Sequence, residues 1–155
     1  AFLTEPLQFQ DLKDRYHWFL ESMHHCGHNH PEKNLLEMDT TTKNTFEKSY
    51  QFCKDLLVSH LRKELPDAFI ASSDMVAVGA MHAIKQAGYQ IPDDFGIVGC
   101  ENVSMCKYIS PTLTTIEQNK IELGIEAWNM VSHVLNHEQI PPVVLPSKLI
   151  FRESC

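Results

Sequence analysis

The sequence predicts an α/β fold, a mostly parallel, doubly wound sheet flanked by helices. Two observations carry that expectation. Short apolar runs alternate with stretches of helical periodicity along the chain, as strand–helix–strand units with right-handed crossovers require. Residues 67–100 are the most regular part and read as apolar run, capped helix, Pro-containing turn and apolar run. That is one complete unit of this kind.

The elements follow in order. "AFLT" is a strand, and "DLKDRYHWFLESMHHCG" a helix with Leu12, Tyr16, Phe19, Leu20 and Met23 on one stripe. Gly27 is placed to end that helix in a left-handed cap, and Pro31 stops any continuation. "NLLEM" is a second strand. Residues 43–63 read as a long helix, with Phe46, Tyr50, Cys53, Leu57 and Leu61 recurring at three- and four-residue steps. "DAFIA" is a buried strand, "SSD" caps the helix "MVAVGAMHAIKQAG", and "FGIVGC" is the next buried strand after the turn "GYQIPDD". "ENVSMCKYISP" is a loop with room for one helical turn. "LTTI" is a short strand, "KIELGIEAWNMVSHVLN" an amphipathic helix, and "KLIFRES" a terminal strand after the Pro141-Pro142 loop.

At 155 residues and 43% hydrophobic content, the chain has the size of one domain with a proper core. No apolar run approaches the ~20 residues of a membrane helix, and no signal peptide opens the chain. The opening "AFLTEP" reads as a strand entered mid-stream and suggests a fragment or a processed product. Cysteines at 26, 53, 100, 106 and 155 form no C-x-x-C pair. They suit a cytoplasmic, reducing setting in which free thiols pack as small apolar groups, with Cys106 the more exposed. A net charge of −7 without a Lys/Arg cluster disfavours nucleic-acid binding by this chain.

Ligands of parallel sheets bind beyond the carboxyl ends of the strands. That rule selects Arg15 after "AFLT", "SSD" after "DAFIA", and "EN" after "FGIVGC". A guanidinium fork, hydroxyls and carboxylates around one rim suit a polyol, since Glu or Asp accepts from adjacent hydroxyls. Plainer roles exist at the same positions. Asp74 reads as a helix cap near the site, with Ser72 and Ser73 as alternatives. Arg15 can pair with Asp11 one turn earlier.

The run "PDAFIASSDMVAVGAMHAIKQAGYQIPDDFGIVGCENVSMCKYISPTLTTIEQNKIELGIEA", with the closing "LIFRES", resembles a lactose-repressor/galactose-repressor (LacI/GalR) family effector domain. The opening "AFLTEP", followed by "RYHWF", is similar to an earlier strand and helix start of that family. The resemblance implies a periplasmic-binding-protein-like fold of two α/β subdomains with an effector in the cleft between them. It implies that residues 1–116 form the core of the C-terminal subdomain, 117–142 a crossover segment and helix, and 143–155 a returning strand. The DNA-binding domain would be absent from this chain, which accords with the acidic balance.

Carried over by position, Arg15, Ser73 and Glu101 are the implied effector-binding residues. Ser73 stands where the family often has Asn, and Glu101 where it has Asp; Trp18 replaces a common Gly and could narrow the cleft or pack beneath it. The implied function is ligand sensing by a LacI-type transcription regulator. A small carbohydrate would be the effector, a homodimer the assembly, and DNA a partner only through the absent domain. No cofactor, metal or membrane partner is expected. A periplasmic-type sugar-binding protein is the alternative; free cysteines and "LIFRES" speak against it.

Enzyme readings find little support. Ser104-Met105-Cys106-Lys107 has S-x-x-K spacing but lacks its partner motifs, and no G-x-S-x-G, P-loop or H-E-x-x-H is present. "ESMHHCGHNHPE" concentrates metal-ligand residue types. Its position at the end of a helix makes His24 and His25 last-turn residues facing the dipole, and the stretch reads as a loop.

Overall fold

The computed structural model describes residues 1–39 and 44–155. Among these, one sheet contains β1 (Phe2–Thr4), β2 (Leu35–Glu37), β3 (Ala68–Ala71), β4 (Gly96–Cys100), β5 (Thr114–Gln118) and β6 (Ser147–Ile150). The helices are α1 (Gln10–His25), α2 (Thr45–Ser59), α3 (Asp74–Gln86) and α4 (Lys120–Leu135). The strand order is β2-β1-β3-β4-β5-β6. All neighbours run parallel except β5 and β6. The expected mostly parallel α/β sheet is therefore what forms. Strand order reverses between β1 and β3, which makes their carboxyl ends the switch point where such sheets open a crevice.

Side-chain alternation places the layers. Phe2 faces α1, its ring centroid 5.5 Å from that of Phe19 and 5.8 Å from Tyr16. Leu3, the next residue, joins the opposite core with Cys53 and Leu57 of α2, Val76, Ala80 and Ile84 of α3, and Phe69, Phe95 and Ile97. Gly79 is what lets α2 and α3 approach so closely. A Cβ there would lie 2.5 Å from the Phe46 carbonyl oxygen and 2.9 Å from the Tyr50 nitrogen.

Local sequence rules set most element ends. Asn44 caps α2 by accepting from the amides of Phe46 (3.1 Å) and Glu47 (3.4 Å). Gly27, at φ +83°, closes α1 in the left-handed cap expected of it. The Gly27 amide donates to His24 O and the His28 amide to Met23 O, the paired bonds of a Schellman motif. Two boundaries differ from expectation. Helix α2 ends at Ser59, and residues 62–64 form a separate 3-10 turn, because the chain is extended at His60 (φ −128°, ψ 147°). The expected start at Lys43 lies outside the described residues. The terminal strand is also shorter than "KLIFRES", since only Ser147–Ile150 pairs with β5.

Helix α4 has no buried residue. Ile121 is 80% exposed, Trp128 70% and Leu135 73%, so its apolar periodicity is satisfied nowhere within the described residues.

Asp74 corrects one expectation outright. The cap of α3 is Ser73, whose Oγ accepts from the Val76 amide at 3.3 Å; Asp74 is the first residue of the helix. Its carboxylate is fully buried and has been drawn into a different task. Oδ1 accepts from Thr115 Oγ1 at 2.5 Å, and Oδ2 from the Val103 amide at 2.8 Å and Cys106 Sγ at 3.1 Å. Cys106, expected to be exposed, is buried against this carboxylate, and burial together with that contact pushes its thiol up to about 12. Gly99 makes the room, since a Cβ there would sit 2.3 Å from Asp74 Oδ1.

Two stability outcomes follow from these contacts. Gly79→Ala should destabilise the fold by about 1–3 kcal/mol through overpacking, read as a lower urea midpoint with unchanged far-UV circular dichroism. Asp74→Ala strands three donors, two of them buried side chains, and should cost about 3 kcal/mol or more. Thr115→Val, which removes one donor from the same carboxylate, should cost less in the same denaturation series.

Candidate functional site

One side chain links the helix that follows β1 to the chain just beyond β3. Arg15, in the second turn of α1, donates through Nη1 to the carbonyl oxygen of Ser72, just beyond β3. Its Nη2 lies 3.9 Å from Asp11 Oδ2, the one-turn pairing that spacing suggested. Among the described residues, these two contacts leave most of the five guanidinium N–H donors without a partner, and the side chain keeps 28% exposure. Arg15 therefore spans the switch point as a fixed donor rather than lying on the outer surface.

Ser72 occupies the seam itself. Its amide donates to Leu3 O at 2.9 Å and its carbonyl takes the Arg15 contact. The Oγ is buried without a hydrogen-bond partner among the described residues. A buried hydroxyl left unpaired costs free energy. Ser73 is half-buried beside it, its Oγ occupied as an acceptor by the cap of α3.

Glu101 follows β4 in an unusual backbone conformation, φ +117°, and Asn102 after it has φ +48°. Non-glycine residues rarely adopt either, and such strain concentrates at functional loops. The Glu101 amide donates to Ile116 O at 2.8 Å. Burial raises its carboxyl above the ordinary glutamate range; Asp74 and Glu5 push the same way, while Arg15 and Lys120 oppose them. Cys100, one residue earlier, has its thiol raised chiefly by burial, with Arg15 and Lys120 again opposing. The two predicted residues Arg15 and Glu101 thus share one electrostatic neighbourhood, with Lys120 as a further member.

Glu101 also borders a cavity of about 380 Å³ with Asn102, Glu117, Lys120, Pro146 and Lys148. Its lining mixes carboxylates, amides and ammonium groups, so hydroxyls could be met as donors or as acceptors. Lys120 and the β5 exit were not singled out from sequence, although the carboxyl-end rule applied to a fourth strand would have found them. Ser72 was selected by the carboxyl-end rule as part of "SSD", but it was not carried forward as an effector-binding residue.

Other sequence-selected residues lie elsewhere. Trp18 is 66% exposed. The histidines of "ESMHHCGHNHPE" follow the end of α1, where His30 sits 3.2 Å from Glu32. Among the described residues no group of three or more His, Cys, Asp or Glu side chains is arranged to hold a metal ion.

Comparison with known proteins agrees with this architecture. The periplasmic binding protein-like domain family matches residues 1–155. The transcriptional repressor PurR of Actinobacillus pleuropneumoniae serotype 3 is 32% identical over 119 residues, covering 77% of this chain and 33% of the repressor. The chain thus spans about a third of that relative's length. A LacI-family regulator from Enterococcus faecium, solved with bound ribose, superposes with a TM-score of 0.80 at 27% identity, covering 99% of this chain and 55% of that one. The regulator CelR in complex with cellobiose gives a TM-score of 0.84 at 23% identity, covering 100% of this chain and 46% of that one. The chain belongs to the periplasmic binding protein-like domain family, and it is similar in sequence and fold to LacI-family regulators.

Proposed function

We propose that this domain senses a small carbohydrate at the rim formed by Arg15, Ser73 and Glu101, with Ser72 and Lys120 contributing. The observation that carries the reading is Arg15 fixed across the β1/β3 switch point and electrostatically coupled to Glu101. A guanidinium and a carboxylate in one electrostatic neighbourhood suit a vicinal diol, which accepts from one and donates to the other. The mixed-sign lining favours a neutral polyol over a strongly charged ligand. Ribose in the Enterococcus faecium regulator and cellobiose in CelR are the ligands of relatives, and they support the same chemical class.

The ligand would lie between this unit and a second α/β subdomain. Residues 1–116 then form the subdomain core, 117–142 the crossover and 143–155 the return. The exposed apolar residues of α4 support that division, because a helix of such composition needs a covering surface. In the complete regulator, a cytoplasmic homodimer, ligand would bias the angle between subdomains and so the affinity for DNA. That bias requires different ligand contacts in the two states.

Isothermal calorimetry with D-ribose and cellobiose, on the complete regulator, tests the site. Arg15→Ala should lower affinity for the sugar bound by the parent at least about tenfold, the expected worth of a charge-assisted hydrogen bond, with the melting temperature little changed. An unchanged affinity removes Arg15 from the pocket.

The pH dependence has a definite sign. Glu101 accepts hydroxyls best when ionised, and its folded carboxyl titrates above the ordinary value. Sugar affinity should therefore rise as pH increases through that raised titration and level off above it. Glu101→Gln should flatten the profile. The linked folding stability moves oppositely for this group, falling as pH rises, since the native state holds the proton more tightly than the unfolded chain.

A further inference from the structure

Glu101 and Asn102 occupy consecutive left-handed backbone positions, which only contacts from elsewhere can maintain. Glu101 itself is held through its amide to Ile116 O. Asn102 carries the rest of the restraint. Its amide donates to Thr115 Oγ1 at 3.3 Å, its Nδ2 to Glu117 Oε1 at 2.7 Å, and its Oδ1 accepts from Arg152 Nη2 at 2.7 Å. Arg152, just beyond β6, also donates through Nη1 to Leu113 O at 2.5 Å and through its own amide to Thr114 Oγ1 at 2.9 Å.

One planar guanidinium therefore bridges the strand entering β5 and the loop leaving β4. Lysine cannot reproduce this, because a single ammonium lacks two donors in a rigid fork. Asparagine is equally specific at 102, since it must accept from Arg152 and donate to Glu117 at once. Aspartate would accept from the arginine but repel Glu117. Asparagine also tolerates the left-handed conformation better than most side chains.

We propose that Arg152 is a positioning residue for the ligand site, holding the Glu101 carboxylate at the rim through the side chain of Asn102. The proposal rests on Glu101 as a ligand acceptor. It assigns the segment after β6 a part in ligand recognition, although Arg152 belongs neither to the Arg15 seam nor to the cavity lining. Because β5 and β6 are the antiparallel pair at the edge of the sheet, a shift of either strand reaches Glu101 through this relay.

Titration of the Glu101 side-chain carboxyl by carbon-13 NMR, in the unliganded chain, tests the positioning without any ligand. The charged groups around Glu101 are Asp74, Arg15, Lys120 and Glu5, with Glu117 and Lys148 lining the same cavity, and each is retained in the variants. In the parent the midpoint should lie above the ordinary glutamate value. In Arg152→Ala it should fall toward that value as the loop relaxes into solvent, and Arg152→Lys should restore it only in part. Asn102→Gly accepts the left-handed backbone while deleting the relay, so it should reproduce the fall even if the arginine variant folds poorly. Folded Arg152→Ala or Asn102→Gly protein with an unshifted Glu101 titration overturns the proposal. Calorimetry with D-ribose and cellobiose separates the two readings. A parent that binds neither sugar, with the titration shifted in the variants, sinks the carbohydrate assignment and leaves the positioning role standing.

Discussion

The carboxylate of Asp74 lies out of solvent between α3, the loop after β4 and strand β5, and three donors from the latter two converge on it. Taking a carboxylate out of water costs several kcal/mol unless its lone pairs are met. Here the donors are a backbone amide, a hydroxyl and a thiol, each from a different residue. Gly99 is the counterpart of this arrangement, because any side chain on that strand position would occupy the carboxylate's place. The consequence reaches the site directly. Val103 is two residues beyond Glu101, so the same clasp also restrains the loop that carries Glu101.

A second tie sets the other side of the rim. In a doubly wound sheet the crevice opens because neighbouring connections leave β1 and β3 in opposite directions. Arg15 crosses that divergence and uses part of its donor set on Ser72 O. Its remaining donors are held by protein geometry before a ligand arrives, which reduces the ordering cost of binding. The buried hydroxyl of Ser72 beside it, without a partner among the described residues, is costly to the folded domain.

Much of the architecture could be read from local signals. Apolar runs, the cap at Gly27, and the three- and four-residue recurrence in α1 and α2 report on interactions within a few residues of each other. Arg15 and Glu101 were legible as site candidates because the carboxyl-end rule is topological. Ser72 and Asp74 were less so. Both stand in "SSD", where three residues can each cap a helix, and local sequence cannot rank them. The ranking was made by Thr115, Val103 and Cys106, whose sequence separations from Asp74 run from 29 to 41 residues. Cys106 looked exposed for the same reason, since a short polar loop gives no hint of the buried carboxylate beneath it.

The sequence by itself determined the α/β class and the order of elements, because periodicity and capping are encoded within a few turns of chain. Tertiary structure alone decided which of the adjacent serines caps α3, that Asp74 is structural, and that Lys120, Asn102 and Arg152 converge near Glu101. Those outcomes depend on strands β4, β5 and β6 lying side by side, and the spacing of residues along one strand carries no record of what its neighbour will present to it.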